Sequence, residues 1–211
     1  GDSAQQIYKF REPQPITMEH ISYVTGFSDE QLVWNYRLPK TIARFAQVLS
    51  NSNDALEDRC KLEGIEKPKI LRFPSLIAQL DAIIGIVRNR NFDDVGIFLS
   101  KNSEVEFAKN YFEKKGFSVE AKFNESMDLN FSNNLPKLTT YHSSKGLQFE
   151  AVFMPNCNTE YEDYASALYV AATRSYQSLY IMHSGDLSSY FDEIPTSLYD
   201  TELATQTTKR L

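Results

Sequence analysis

Hydrophobic positions along the chain alternate between strand-like and helical spacing. The run "LVWNY" at 32–36 is followed by apolar residues spaced i, i+3, i+4, i+7, which predicts an amphipathic helix from Pro39. A second stripe, from Leu76 to Val87, begins near Pro74 and ends in the basic "RNR", which suits a helix C-terminus. The first helix carries its stripe on Ile42, Phe45, Ala46 and Leu49.

The second half of the chain continues this alternation. "DVGIFLS" is typical of a buried strand, and Ser103 with Glu106 has the spacing of a capping box for a helix that ends at Gly116. Strands are then predicted at "FSVEAKF", "KLTTY", "AVFMP" and "SLYIMH", with an Asn-rich loop at 124–135 and a helix at "YASALYVAATRSY". Residues 188–211 are polar and predict a peripheral helix or a loose tail. This order predicts one α/β domain over residues 13–187, with a mostly parallel sheet and helices on both faces.

Composition and charge limit the function. The chain has 211 residues, 42% of them hydrophobic, and a formal net charge of −6. Proteins that bind nucleic acid through bulk electrostatics are usually basic, so any phosphate contact should be local. Cys60 and Cys157 lack CxxC spacing, so we expect neither a disulfide framework nor a metal site. No apolar run is long enough for a membrane span and the start lacks signal-peptide character, so we expect a cytoplasmic protein without membrane contact.

The turn "HSSKG" at 142–146 is the first candidate for ligand binding. It follows the strand "KLTTY", and in parallel sheets ligands bind at the carboxyl ends of strands. Ser143, Ser144 and Lys145 offer donors to an anion, and Gly146 permits a close backbone approach. A solvated turn whose serines cap a helix explains the same residues.

Four stretches in order resemble motifs III to VI of UvrD/Rep-type superfamily 1 DNA helicases. They are "GDSAQQIYKFR" at 1–11, "NYRLPKTIARFA" at 35–46, "TTYHSSKGLQFEAVF" at 139–153 and "LYVAATRSYQSLYI" at 168–181. The resemblance covers nearly the whole chain before the tail. It implies a RecA-like domain, the second motor domain of an ATP-dependent helicase.

The resemblance implies roles at an ATP and Mg²⁺ site shared with a first RecA-like domain of the same parent chain. Arg37 and Arg174 would stabilise charge on the transferred phosphoryl group, and Gln5 would sense the γ-phosphate. Gln148 stands where the family usually has a glutamate that contacts the ribose, and it would lie beside Lys145 and Gly146 at the nucleotide. Without the motifs, either arginine is equally explained by a surface salt bridge.

The resemblance also implies contacts to single-stranded DNA. The residues concerned are Tyr8, Phe10, Arg11, Thr140 and His142. Aromatic side chains hold single strands by stacking, and Phe10 stands where the family usually has tryptophan. Core packing explains Tyr8 and Phe10 equally well, and a buried structural role explains His142.

Features that are missing define the expected role further. No glycine is followed by lysine, so the phosphate-binding P-loop, GxxxxGK[ST], is absent and the isolated chain should not hydrolyse ATP. Residues 1–12 resemble the end of the motif III segment of the first motor domain. The large accessory subdomain of the family is expected to be absent or reduced to residues near 124–135.

Two departures from the family leave a second function open. They are Gln148 and the segment 164–167, "YASA", where the family tends to carry acidic residues and arginine. The alternative is a degenerate helicase-like domain that acts as a non-catalytic DNA-binding or scaffolding module.

Overall fold

A six-stranded parallel sheet forms the centre of the molecule. The computed structural model describes residues 23–24, 34–50, 55–158 and 164–203. The strand order is β3-β8-β7-β4-β6-β5, and a separate parallel pair joins β1 to β2. The strands are β1 Asn35–Pro39, β2 Cys60–Leu62, β3 Lys69–Arg72, β4 Val95–Leu99, β5 Glu120–Ala121, β6 Lys137–Thr140, β7 Phe149–Met154 and β8 Ser175–His183. The helices are α1 Lys40–Val48, α2 Leu76–Arg90, α3 Asn102–Lys114 and α4 Tyr164–Ala172.

Each face of the sheet carries its own hydrophobic cluster. Helices α1 and α4 cover one face, and α2 and α3 cover the other. Alternate residues of β8 point to opposite faces of the sheet. Leu179 and Ile181 belong to the first cluster, and Tyr180 and Met182 belong to the second. Strands buried on both faces are typical of parallel sheets. The predicted mostly parallel sheet with helices on both faces is confirmed.

Several local predictions need correction. Strands β2 and β3 were not predicted, and the strand expected over "FSVEAKF" is limited to two residues, Glu120–Ala121. Leu76 starts the second helix, and the Ser75 hydroxyl caps it by accepting a hydrogen bond from the Ala78 N–H at 3.2 Å. Within residues 124–136 the chain has no helix or strand, as predicted.

The capping residue of α3 differs from the predicted Ser103–Glu106 pair. The Glu104 carboxylate accepts hydrogen bonds from the Ser100 N–H at 3.2 Å, the Ser100 hydroxyl at 2.6 Å and the Lys101 N–H at 3.3 Å. A carboxylate in the first turn satisfies free backbone donors and interacts favourably with the helix dipole. Glu104, two residues before Glu106, therefore holds the start of this helix.

Paired substitutions distinguish the two capping assignments. Glu104→Ala should lower the free energy of unfolding by about 1–3 kcal/mol, because it leaves partly buried donors unsatisfied. Ser103→Ala should change it by less than about 0.5 kcal/mol, since Ser103 is exposed. Urea unfolding of both variants measures the difference. Equal effects would contradict the assignment to Glu104.

Residues 188–203 pack against the domain. Phe191 and Ile194 are buried in the cluster of α1 and α4, and the Phe45 and Phe191 rings lie 6.3 Å apart. At the sheet edge, the Ile70 N–H donates to the Asp200 carbonyl at 2.9 Å. The segment predicted as a polar tail thus covers α1 and pairs with β3 as far as the structure describes it.

Candidate functional site

The connection from β6 to β7, residues 141–148, crosses the face that carries α1 and α4. We name it the strap. Strands β6 and β7 flank β4, so the strap must pass over β4. Thr140 is level with Leu99 at the carboxyl end of β4, whereas Phe149 is level with Ser175 at the amino end of β8. The strap therefore runs from the carboxyl ends of the parallel strands, which we call the carboxyl edge, to their amino ends, which we call the amino edge.

The strap begins with a tight turn at the carboxyl edge. His142–Ser144 forms one turn of 3₁₀ helix, in which the Ser143 N–H donates to the Thr140 hydroxyl oxygen at 3.3 Å. Ser144 is fully buried, and its hydroxyl donates to the Tyr141 carbonyl at 2.7 Å. The expectation that Ser144 offers its hydroxyl to an anion is therefore wrong. Ser143 is exposed and His142 half-buried at this edge, while Thr140 is buried.

Gly146 allows the strap to turn towards the amino edge. Its φ is +89°, and no atom lies within 4 Å of the position that a Cβ would take. Both Gly146 and the neighbouring Lys145 are exposed. The glycine is therefore required for backbone conformation and not for lack of space.

A pair of glycine substitutions tests this requirement. Gly146→Ala should lower the free energy of unfolding by about 1–2 kcal/mol, because an L-residue is strained at positive φ. Gly85→Ala, inside α2 with nothing within 4 Å of the added Cβ, should raise it by about 0.5–1 kcal/mol. Thermal or urea unfolding gives both values. A stabilising Gly146→Ala would contradict the assigned conformation.

The strap ends at the amino edge beside Arg174. The Arg174 guanidinium is buried, and it donates to the Val170 carbonyl at 2.8 Å, the Thr173 hydroxyl at 2.9 Å and the Leu147 carbonyl at 3.4 Å. The backbone is fixed there too, since the Phe149 N–H donates to the Arg174 carbonyl at 2.8 Å. Arg174 thus fixes the end of the strap at Leu147. Gln148, which follows Leu147 in the chain, is half-buried.

The remaining site candidates either take no part in the contact between Arg174 and the strap or lie outside the described residues. Arg37 lies on β1, which is not part of the six-stranded sheet, and its side chain is exposed. The structure brings Gln148 and Arg174 to the amino edge, and it puts Thr140 and His142 at the carboxyl edge. The other four candidates, Gln5, Tyr8, Phe10 and Arg11, lie outside the described residues.

A partly buried polar network near the carboxyl edge was not predicted from the sequence. The Asn156 N–H donates to the Gln79 side-chain oxygen at 2.8 Å, and the Asn156 amide donates to Glu104 at 2.6 Å. Asn156 has a φ of +61°, a conformation that asparagine tolerates better than most residues. The network joins the end of β7 to α2 and α3, and its only sequence signal was an asparagine directly after a predicted strand.

Comparison with known proteins shows which family this part of the chain resembles. Residues 138–182 match the model of the UvrD-like helicase C-terminal domain. The match runs from β6 through the strap and α4 to the end of β8. This part of the chain is therefore similar to the UvrD-like helicase C-terminal domain. No curated protein sequence matches the chain significantly.

A solved structure supports the α/β fold of the chain. The C-terminal domain of a possible DNA helicase from Lactobacillus plantarum WCFS1 superposes with a TM-score of 0.62 at 20% identity, over 79% of this chain and 98% of that one. At this identity the likeness establishes the fold, and the predicted RecA-like α/β class is confirmed. The PRRSV nsp10 helicase matches with a TM-score of 0.40 at 8% identity, over 61% of this chain and 29% of that one, which is too low to support an argument.

None of the helices in the described part of the chain combines the length and the apolar character that a membrane span requires. The same part of the chain contains no group of three His, Cys, Asp or Glu side chains that could hold a metal ion.

Proposed function

We propose that the chain is the C-terminal half of an ATP-dependent DNA helicase or translocase. ATP would bind between this domain and a first RecA-like domain of the same parent protein. The observation that carries the proposal is the continuous family match over residues 138–182, because it includes the strap together with the helix that leads to Arg174. A location in the cytoplasm belongs to the same proposal.

The nucleotide would lie at the amino edge of the sheet. Arg174 and the exposed Arg37 would stabilise the charge that develops on the γ-phosphoryl group, with Gln5 reporting the nucleotide state. Gln148 would contact the ribose through an amide, which accepts a hydrogen bond but adds no charge, and Lys145 and Gly146 would lie near the phosphates. The contact between Arg174 and the strap supports a shared role for these groups. Mg²⁺ would arrive with the nucleotide and the first domain, since the described residues contain no acidic or histidine cluster for it.

Single-stranded DNA would lie along the carboxyl edge. His142 and Thr140 would contact the strand there, together with Tyr8, Phe10 and Arg11. The half-exposed His142 ring supports this assignment. Because the chain has a net charge of −6, the contacts must be local and not the result of an overall positive surface.

Binding of a labelled oligo(dT) strand tests the carboxyl-edge assignment. His142→Ala should weaken binding about tenfold or more, because a hydrogen bond to a charged phosphate is worth about 1.5–3 kcal/mol. Gln177→Ala is the control, since Gln177 is also a half-buried polar side chain but lies near the amino end of β8, away from the proposed DNA path. Fluorescence anisotropy at one fixed salt concentration measures both. Equal dissociation constants for His142→Ala and the wild type would contradict the assignment.

A degenerate, non-catalytic binding module is the second candidate. The hydrogen bonds of the Arg174 guanidinium to carbonyls of its own domain favour it, because an arginine finger must reach a nucleotide held by another domain. Under both proposals the isolated chain should give no steady-state ATP hydrolysis. Only the motor proposal requires that the parent protein hydrolyse ATP in response to DNA.

A further inference from the structure

The strand that carries Arg37 contains a bulge. Strand β1 pairs with β2 at its two ends, Asn35 and Pro39, and the register shifts between them. Three residues of β1, at 36–38, therefore lie opposite one residue of β2, Lys61. Extra residues in one strand of a pair bend that strand and change the direction of its side chains. The bulge thus includes the arginine that we assign to the γ-phosphoryl group.

The bulge changes which side chains of β1 are exposed. In a regular strand, residues i and i+2 lie on the same face. Here Tyr36 is 67% exposed, whereas Leu38 is buried in the cluster of α1 and α4. Arg37 is likewise exposed, whereas Pro39 is buried. The bulge therefore presents Tyr36 and Arg37 together to solvent, directly before the part of β1 that the core holds in place.

One side chain accepts hydrogen bonds from the backbone of the bulge. The Asn35 side-chain oxygen accepts from the Arg37 N–H and from the Leu38 N–H, both at 3.0 Å. Asparagine commonly bonds the backbone two residues ahead in this way, which stabilises a turn. The half-buried Asn35 side chain is therefore the acceptor for two N–H groups where the pairing of β1 with β2 is interrupted.

The reach of the Arg37 guanidinium depends on this backbone. An exposed arginine side chain has many rotamers, so its backbone position decides which of them bring the guanidinium to a phosphate. A displacement of about 1 Å in a catalytic group can lower the rate about 100-fold. Hydrogen bonds that keep the bulge in one conformation therefore favour catalysis by the arginine that the bulge carries.

We propose that Asn35 is a positioning residue, which fixes the β1 bulge and so directs Arg37 towards the nucleotide. The inference rests on the proposed function, in which Arg37 contacts the γ-phosphoryl group. It assigns no contact with nucleotide or DNA to Asn35 itself. A purely structural Asn35 would stabilise the fold, but its effect on turnover would not depend on the presence of Arg37.

Hydrogen exchange measured by NMR on the 211-residue chain tests the bulge without any ligand. Asn35→Ala should speed exchange of the Arg37 and Leu38 amides about fivefold, because both lose their acceptor. Asn35→Asp keeps an acceptor oxygen and should retain most of the protection. Asn124→Ala is the control, since the Asn124 side-chain oxygen also accepts two hydrogen bonds, both from Ser126, and it should leave the two amides unchanged. Exchange in Asn35→Ala equal to that of the wild type, or of Asn35→Asp, would overturn the inference.

A double-mutant cycle in the full-length protein tests the dependence on Arg37. Asn35→Ala should lower the DNA-stimulated kcat about tenfold and leave the KM for ATP within about threefold, because the lost interaction belongs to the transition state. In an Arg37→Ala background the same substitution should lower kcat less than about twofold, since no guanidinium remains to be directed. Asn124→Ala should leave kcat unchanged in both backgrounds. A tenfold loss in both backgrounds, or no loss in the wild-type background, would overturn the positioning role.

Failure of the proposed function would give a different result. Arg37→Ala alone would then retain wild-type turnover, which would remove Arg37 from catalysis and with it the catalytic part of the inference. The exchange experiment would still decide whether Asn35 fixes the bulge, because it requires neither ATP nor DNA.

Discussion

Replacing Arg174 with alanine in the full-length protein should lower DNA-stimulated ATP turnover by at least about 100-fold. An arginine directed at the transferred phosphoryl group contributes about 10³ to 10⁵ in rate. Part of the loss would come from structure, because the truncation removes the hydrogen bonds that the buried guanidinium donates to the Val170 and Leu147 carbonyls. Turnover should therefore be measured at saturating ATP, together with the melting temperature.

Two further variants separate catalysis from structure at this position. Arg174→Lys keeps the charge but loses the planar fork of donors, so turnover should stay far below the wild type while more of the stability is retained. Arg88→Ala removes an exposed arginine from the last turn of α2 and should leave turnover unchanged. Wild-type turnover in a folded Arg174→Ala variant would show that Arg174 is structural only.

Replacing Arg37 with alanine should also lower the DNA-stimulated turnover by at least about 100-fold, without loss of stability. Its side chain is exposed on β1, so the substitution leaves no buried group unsatisfied and the free energy of unfolding should change by less than about 0.5 kcal/mol. The expected kinetic loss has the same electrostatic origin as for Arg174. Steady-state turnover and urea unfolding of the same preparation measure the two quantities.

Arg72 provides the matched control for Arg37. It is likewise an exposed arginine on a strand, β3, but no motif of the resemblance includes it. Arg72→Ala should retain wild-type turnover. Equal turnover in the Arg37→Ala and Arg72→Ala variants would remove Arg37 from the proposed nucleotide site.

The central strands could be predicted from the sequence because they are buried on both faces. Strands β4, β7 and β8 appear as short continuous apolar runs, which is the pattern of a parallel sheet. Strands β2 and β3 have only three and four residues, too few for a periodic signal. The wrong prediction of the α3 cap has a different origin. Ser103 and Glu106 have the spacing of a capping box, but the Ser100 and Lys101 N–H groups donate to the Glu104 carboxylate instead.

The residues of the candidate site were predicted better than their arrangement. Motif order placed Thr140, His142, Gln148 and Arg174 in one region of the chain, but sequence alone does not give the strand order. The predicted parallel direction of β6 and β7 implies that the strap joins opposite ends of the strands, but only the position of β4 between them shows that the strap crosses β4. Sequence periodicity likewise did not indicate that Arg174 donates to the strap, because that contact spans 27 residues.

Steady-state ATPase activity of the full-length protein, with and without single-stranded DNA, decides whether the domain belongs to a motor. We expect turnover to rise at least tenfold when saturating oligo(dT) is added. The isolated 211-residue chain should show none under either condition. Full-length protein that binds DNA but does not hydrolyse ATP would contradict the motor and favour the degenerate binding module.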